Sequence, residues 1–159
     1  MRHAQAAPAG GSITRDADRI LTPRGEEDAA TMGRVLKRLD SNIDMVVTSP
    51  LARARQTGEI VGTEMSAHPI VHVSNNLAPG FRTQSLFEEL IALSAGAGIV
   101  AVGHQPDLGK FISFLIADSS SAAIAMESGA VAKIHLPSPL SSREAYLSWL
   151  ITPEAAQNL

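Results

Sequence analysis

Ile43-Asp44-Met45-Val46-Val47-Thr48-Ser49-Pro50-Leu51-Ala52-Arg53-Ala54-Arg55-Gln56-Thr57 decides how this chain folds. Ile43 to Thr48 is a short apolar, β-branched run, which suits a strand. Ser49-Pro50 then has the form of a helix start: a small hydroxyl residue before a proline whose fixed φ fits the first turn. That helix is expected to run to about Met65. A second stretch has the same grammar. Gly98 to Val102 is continuously apolar, as in a strand buried on both faces. Gly103-His104-Gln105-Pro106 turns, and a helix is expected from about Asp107 to Ala117. Strands alternating with helices in this way build a mainly parallel sheet.

Working outward, residues 4–19 are small and polar, with Pro8, Gly10 and Gly11, and read as loop. Thr22-Pro23 caps and opens a helix in which Ala29, Met32, Val35, Leu36 and Leu39 recur at helical spacing. Ile70 to Val73 is a short strand, Asn75 to Phe81 a loop, and Gln84 to Leu93 a helix with Leu86, Phe87, Leu90 and Leu93 inward. Ser119 to Ala123 is a low-complexity loop. Ala130 to Leu136 and Tyr146 to Ile151 form two more strands, antiparallel neighbours across a Pro/Ser-rich link. The fold class is α/β: a three-layer sandwich with a mainly parallel central sheet flanked by helices.

The 159 residues make a single domain, 1–159. A domain of this size buries roughly 70% of its unfolded surface. A net charge of −3 argues against bulk binding to nucleic acid or an anionic membrane. With no cysteine there is no disulfide, thiolate metal site or cysteine nucleophile. No apolar stretch reaches the roughly 18 residues of a membrane span, and Met1-Arg2-His3-Ala4-Gln5 lacks a signal-peptide core. The expectation is a cytoplasmic monomer.

Ligands of such sheets bind beyond the carboxyl ends of the strands. Ser49-Pro50 and Gly103-His104 both fall there. A helix N-terminus offers free N–H groups, and Arg53, one turn in, adds a guanidinium fork that matches phosphate oxygens. Arg55 lies on another helix face. Taken alone, this segment equally fits an exposed helix with solvated arginines, His104 a histidine bonded to backbone, and His3 an ordinary residue near a terminus. Together they suggest more, because imidazole can attack phosphorus: phosphoryl transfer through a phosphohistidine, with no metal. His68, His72 and His135 lack metal spacing and read as ordinary loop and strand residues. Glu26-Glu27-Asp28 suits a helix dipole. Arg15, Arg19 and Arg24 read as solvated surface, with a substrate entrance as the alternative.

The chain resembles the histidine phosphatase superfamily, the phosphoglycerate-mutase-like fold, and within it the small SixA-like phosphohistidine phosphatases. Arg2-His3-Ala4-Gln5-Ala6 resembles the Arg-His-Gly-x-Ala motif. Leu21-Thr22-Pro23-Arg24-Gly25 with Ala29 resembles the next block. Ser49-Pro50-Leu51-Ala52-Arg53-Ala54-Arg55-Gln56-Thr57 matches Ser-Pro-x-x-Arg-Ala-x-Gln-Thr. Val102-Gly103-His104-Gln105-Pro106 matches the block of the second histidine, and Trp149-Leu150-Ile151-Thr152-Pro153 resembles the closing strand. The resemblance implies His3 as nucleophile, with Arg2, Arg53 and His104 forming the phosphate pocket and no cofactor. Its substrate would be a protein phosphohistidine or a small phosphorylated metabolite. A non-catalytic phospho-binding module is the remaining alternative.

The chain departs from the pattern in three places. Ala4 replaces the motif glycine, and its methyl is expected to crowd the backbone near the phosphate. The family's Arg-His motif ends a first strand in mid-sheet, yet only Met1 precedes Arg2. The expectation is that this first strand is missing, with Met1 an internal residue of a frame that starts upstream. The chain as it stands should then have a gap in the sheet and a poorly held His3. Finally, no general acid stands out. Asn75 to Phe81 carries none, Glu88 and Glu89 lie on the next helix, and Asp107 reads as a helix cap. Losing such an acid costs an alkyl phosphate about 10² to 10⁴ in rate. A phosphoramidate suffers less.

Overall fold

The computed structural model describes residues 1–10, 14–39, 42–65, 69–94, 98–119, 121–137 and 145–157. Helix α1 (Pro23–Leu39) starts as its sequence predicts: Thr22 Oγ1 accepts the Gly25 N–H at 3.0 Å. Ala29, Met32, Val35 and Leu36 face inward, whereas Leu39 at the helix end is exposed. Strand β1 (Ile43–Thr48) leads into α2 (Ala52–Glu64), then β2 (Ile70–Val73), α3 (Thr83–Leu93), β3 (Gly98–Val102) and α4 (Asp107–Ala117). Strands β4 (Val131–His135) and β5 (Tyr146–Ile151) and the short helix α5 (Pro153–Ala156) complete the order.

The sheet order is β2-β1-β3, all parallel, with Thr48 opposite both Val73 and Val102. β4 and β5 pair antiparallel, as expected. Because strand side chains alternate, β1, β3 and β4 each feed two cores. Val46, Val100, Val102 and Val131 pack with residues of α1, α2 and α5, while Val47, Met45, Ile99 and Ala101 pack with α3 and α4. This is the helix-covered parallel sheet that the alternating sequence predicts. Helix α2 lies so close to β1 that a Cβ at Gly58 would come within 2.3 Å of Thr48 Cγ2. Among the described residues no helix is long and apolar enough to cross a membrane.

Four expectations change. The first strand is absent and β2-β1-β3 stays separate from β4-β5, but the Met1–His3 backbone spans the gap instead of leaving His3 poorly held. Met1 N donates to Ala101 O at 2.7 Å, Gly103 N–H to Met1 O at 3.1 Å, and His3 N–H to Gly103 O at 3.0 Å. On the other side Arg2 N–H reaches Ala130 O at 3.0 Å, and Gly129 N–H reaches His3 O at 3.1 Å. No full strand forms, only a parallel bridge of Arg2 with Gly103. It joins β3 to the segment before β4 and satisfies backbone groups that would otherwise be orphaned. His3 is therefore held on both sides. Second, Ser49-Pro50 does not cap α2; Leu51 takes that place. Third, Asn75–Leu77 is a 3₁₀ turn, which Ser74 Oγ starts by accepting the Asn76 N–H at 3.0 Å. Fourth, Asp107 does not cap α4, since Pro106 precedes that helix. His68 and the link at 138–144 lie outside the described residues.

Candidate active site

Neighbouring parallel strands end level, so the turn leaving β1 meets the turn leaving β3. Ser49 N–H donates to Val102 O at 2.9 Å, one bond beyond the paired strands. This seats the start of the α2 segment against Gly103-His104. His3, placed by its backbone bonds to Gly103 and Gly129, completes the group. The His3 and His104 ring centres lie 5.1 Å apart. Arg53 Nε donates to His3 Nε2 at 3.2 Å. Arg2 donates through Nη1 to Met126 O at 2.8 Å, and its charge helps to depress the His3 pKa. All four residues singled out in the sequence are thus brought together.

The hydrogen bonds fix the His3 tautomer. Nδ1 faces the Ala4 carbonyl at 2.7 Å. A carbonyl only accepts, so Nδ1 carries the proton. Nε2 receives the Arg53 N–H and therefore presents a lone pair. Burial pushes the His3 pKa down to about 4, and the charges of Arg53, Arg2 and Arg19 act in the same direction against the Ala4 carbonyl. The ring is neutral at pH 7.

His104 is 4% exposed. Its Nε2 meets Ser49 Oγ at 2.8 Å, and that oxygen also accepts the Leu51 N–H at 3.3 Å. Its Nδ1 is buried with no hydrogen-bond partner among the described residues, as is Arg2 Nε. Buried polar atoms are nearly always paired, so two unpaired nitrogens at one site suit a ligand rich in acceptor oxygens. Burial brings the His104 pKa to about 4, with His3 and Arg53 lowering it further and Asp16 and Asp107 opposing.

Arg53 is 5% exposed and braced at its far end. Nη1 donates to Asp16 O at 2.7 Å and Nη2 to Asp16 Oδ2 at 2.9 Å. Thr57 Oγ1 accepts the Ala4 N–H at 3.1 Å and donates to Arg53 O at 2.7 Å, tying the His3 segment to α2. Gln56 Oε1 accepts the Leu21 N–H at 2.8 Å. The Ala4 methyl is buried in a small cluster with Leu21 and Ala29. A Cβ at Gly25 would come within 2.0 Å of Gln5 O, so this close seating of the loop on α1 requires a glycine.

Asp16, Ser49, Gln56 and Thr57 carry no role in the sequence pattern taken alone. The last three lie within the matched motif, and their polar types at fixed spacing were the available signal. Asp16 sits in a loop that carried none. Asp107 accepts the Gly80 N–H at 2.7 Å and pairs with Lys110. Arg15, in the loop, and Arg24, in the first turn of α1, pair with Asp18 and Asp28. Arg19 turns in, donating to Ala7 O at 2.6 Å and Asp16 Oδ1 at 2.9 Å. Arg55 pairs with Glu59, away from the site. His72 and His135 are exposed. A cleft of about 340 Å³ beside Gln105 and Pro106, bounded by Lys110 and Ile124, contains none of the four site residues.

Residues 1–77 match the family model of the histidine phosphatase superfamily (branch 1). An uncharacterized protein of Picosynechococcus sp. is 38% identical over 113 residues, covering 69% of this chain and 67% of that protein. The solved structure of the protein histidine phosphatase SixA with tungstate superposes with a TM-score of 0.83 at 26% identity, covering 96% of this chain and 94% of the other. A candidate phosphohistidine phosphatase SixA from Nakamurella multipartitia matches at 0.78 and 29% identity, covering 96% and 93%.

Proposed function

The chain belongs to the histidine phosphatase superfamily, in its SixA-like form, and we propose that it dephosphorylates phosphohistidine on proteins through a phosphoryl group carried briefly on His3. The observation that carries this reading is the His3 ring, with Nδ1–H tied to a carbonyl and the Nε2 lone pair facing Arg53. Nε2 attacks phosphorus as the bond to the leaving nitrogen breaks. Arg2, Arg53 and His104 balance the charge on the phosphoryl oxygens. For His104 to donate from Nδ1, Nε2 must accept, and Ser49 O–H is placed to supply that bond. Water then displaces the phosphoryl group from His3, returning the lone pair to Nε2 and releasing phosphate and a proton.

Substrate choice depends on proton supply. Near the pocket Asp107 is committed to Gly80 and Lys110, and Glu89 to Ser74 and Asn76. The Asp16 carboxyl is held below the usual carboxylate range by Arg19 and Arg53. None suits donation to an alkoxide. A phosphoramidate nitrogen in an imidazolium leaves without a new proton, which favours phosphohistidine over alkyl esters.

The test compares a protein phosphorylated on histidine with a panel of sugar phosphates and nucleotides. We expect fastest release from phosphohistidine, with an acid-labile, alkali-stable phosphoenzyme that His3→Ala does not form. Faster turnover of a metabolite would reassign the substrate. Phosphate binding without turnover of any substrate would defeat the enzymatic reading.

A further inference from the structure

Asp16 is an unexpected presence at a site built for an anion. Its carboxylate bridges two arginines, Oδ2 to Arg53 Nη2 and Oδ1 to Arg19 Nη1, both at 2.9 Å. Three anchors hold it there: Arg53 also grips its backbone carbonyl at 2.7 Å, Arg19 is itself fixed to Ala7 O at 2.6 Å, and Asp16 opens the 3₁₀ turn Asp16–Asp18. The side chain is 59% exposed, so one face of the carboxylate looks out at the pocket rim. Its charge is felt at His104.

A phosphoryl group docking on His3 and Arg53 brings its negative charge against this carboxylate. With a neutral leaving group the encounter is repulsive. With a cationic leaving group it becomes attractive, because the carboxylate gains a partner as Arg53 turns to the phosphoryl oxygens. We propose that Asp16 is a specificity-determining residue that favours substrates whose leaving group carries positive charge next to phosphorus, the phosphoimidazolium of phosphohistidine above all. The inference rests on the phosphohistidine reading above.

In this arrangement Asp16 accepts a hydrogen bond from the ring nitrogen that does not carry phosphorus. An imidazole titrates near neutrality, at about 6.5, and a neighbouring carboxylate favours its protonated form. As His3 Nε2 forms its bond to phosphorus, the P–N bond breaks and its electron pair passes to the departing nitrogen. The ring leaves as neutral imidazole and keeps the proton that faces Asp16. No proton has to reach the leaving atom, so this substrate loses little when Asp16, Glu89 and Asp107 are all committed elsewhere.

The experiment measures kcat/KM of wild type, Asp16→Asn and Asp16→Glu on a phosphohistidine protein and on p-nitrophenyl phosphate, with inhibition by inorganic phosphate alongside. We expect Asp16→Asn to lower kcat/KM on phosphohistidine by about tenfold and to raise it on the aryl ester by about threefold, as removal of one rim charge allows. Phosphate should inhibit the variant several-fold more strongly, and Asp16→Glu should restore most of the preference. A carboxylate that merely braced Arg53 would change both substrates by the same factor, and that result overturns the inference alone. Wild type that hydrolyses the aryl ester but leaves phosphohistidine untouched overturns the functional reading, and the inference with it.

Discussion

His3 and His104 sit with ring centres 5.1 Å apart, share neighbours and are both driven toward a pKa of about 4, yet the chain holds them in opposite ways. His3 rides on a stub of backbone bonded to Gly103 and Gly129, and both of its ring nitrogens are engaged. His104 comes after the full strand β3 and is almost wholly enclosed. One of its nitrogens is bonded to Ser49, and the other has no partner among the described residues. The difference shows how two identical side chains acquire different chemistry. A carbonyl on Nδ1 makes His3 offer a lone pair from Nε2. A hydroxyl can donate to Nε2 or accept from it, and when it donates His104 offers a proton from Nδ1. The group bonded to the far nitrogen decides, rather than the imidazole.

The sharpest break is His3→Ala, which removes the atom proposed to attack phosphorus. We expect kcat to fall by about 10³ or more, with inorganic phosphate still inhibiting. His104→Ala should cost about 10² to 10³ in kcat, the scale of losing one charge-stabilising donor. It should still form a phosphoenzyme on His3 in single-turnover labelling. If neither variant can be labelled, the division of labour is wrong.

Smaller changes sharpen the contrast. Ser49→Ala removes the side-chain partner of His104 Nε2, and we expect kcat/KM to fall by about tenfold, the worth of one buried hydrogen bond. Nitrogen-15 NMR of the rings should show His104 losing its Nδ1–H preference while His3 keeps its own. The pH dependence is the mildest effect. Both rings titrate near 6.5 when unfolded and near 4 when folded, so the unfolded chain binds more protons between these values. The contribution of the two rings to stability should decline as pH falls from 6.5 to 4, read as the urea midpoint. The decline should be shallower in either alanine variant.

The elements were legible because their signals are local. Short β-branched and continuous apolar runs marked β1 and β3, and the Thr22-Pro23 start marked α1, where the observed cap confirms it. Ser49-Pro50 carried the same local signature and misled. A serine after a strand can serve a cap or a neighbour, and the histidine that claims Ser49 lies 55 residues away. Asp107 misled similarly, since its partner Gly80 comes from another loop. The Met1–His3 stub was illegible for a different reason. Three residues have no periodicity, and their pairing partners at Ala101, Gly103 and Ala130 are contributed by the rest of the sheet.

What the sequence determined by itself is the alternation of strands and helices, the places where strands end, and two arginines and two histidines of types suited to holding a phosphoryl group. These arise from patterns within a turn or a strand, and from motif blocks whose spacing is preserved. Only the tertiary structure decided which neighbour each histidine nitrogen meets, that the Met1–His3 backbone bonds to Ala101, Gly103 and Ala130, and that Asp16 binds Arg53 and Arg19. Each depends on hydrogen bonds between segments far apart in the chain, where geometry within a few tenths of an ångström separates a partner from a bystander.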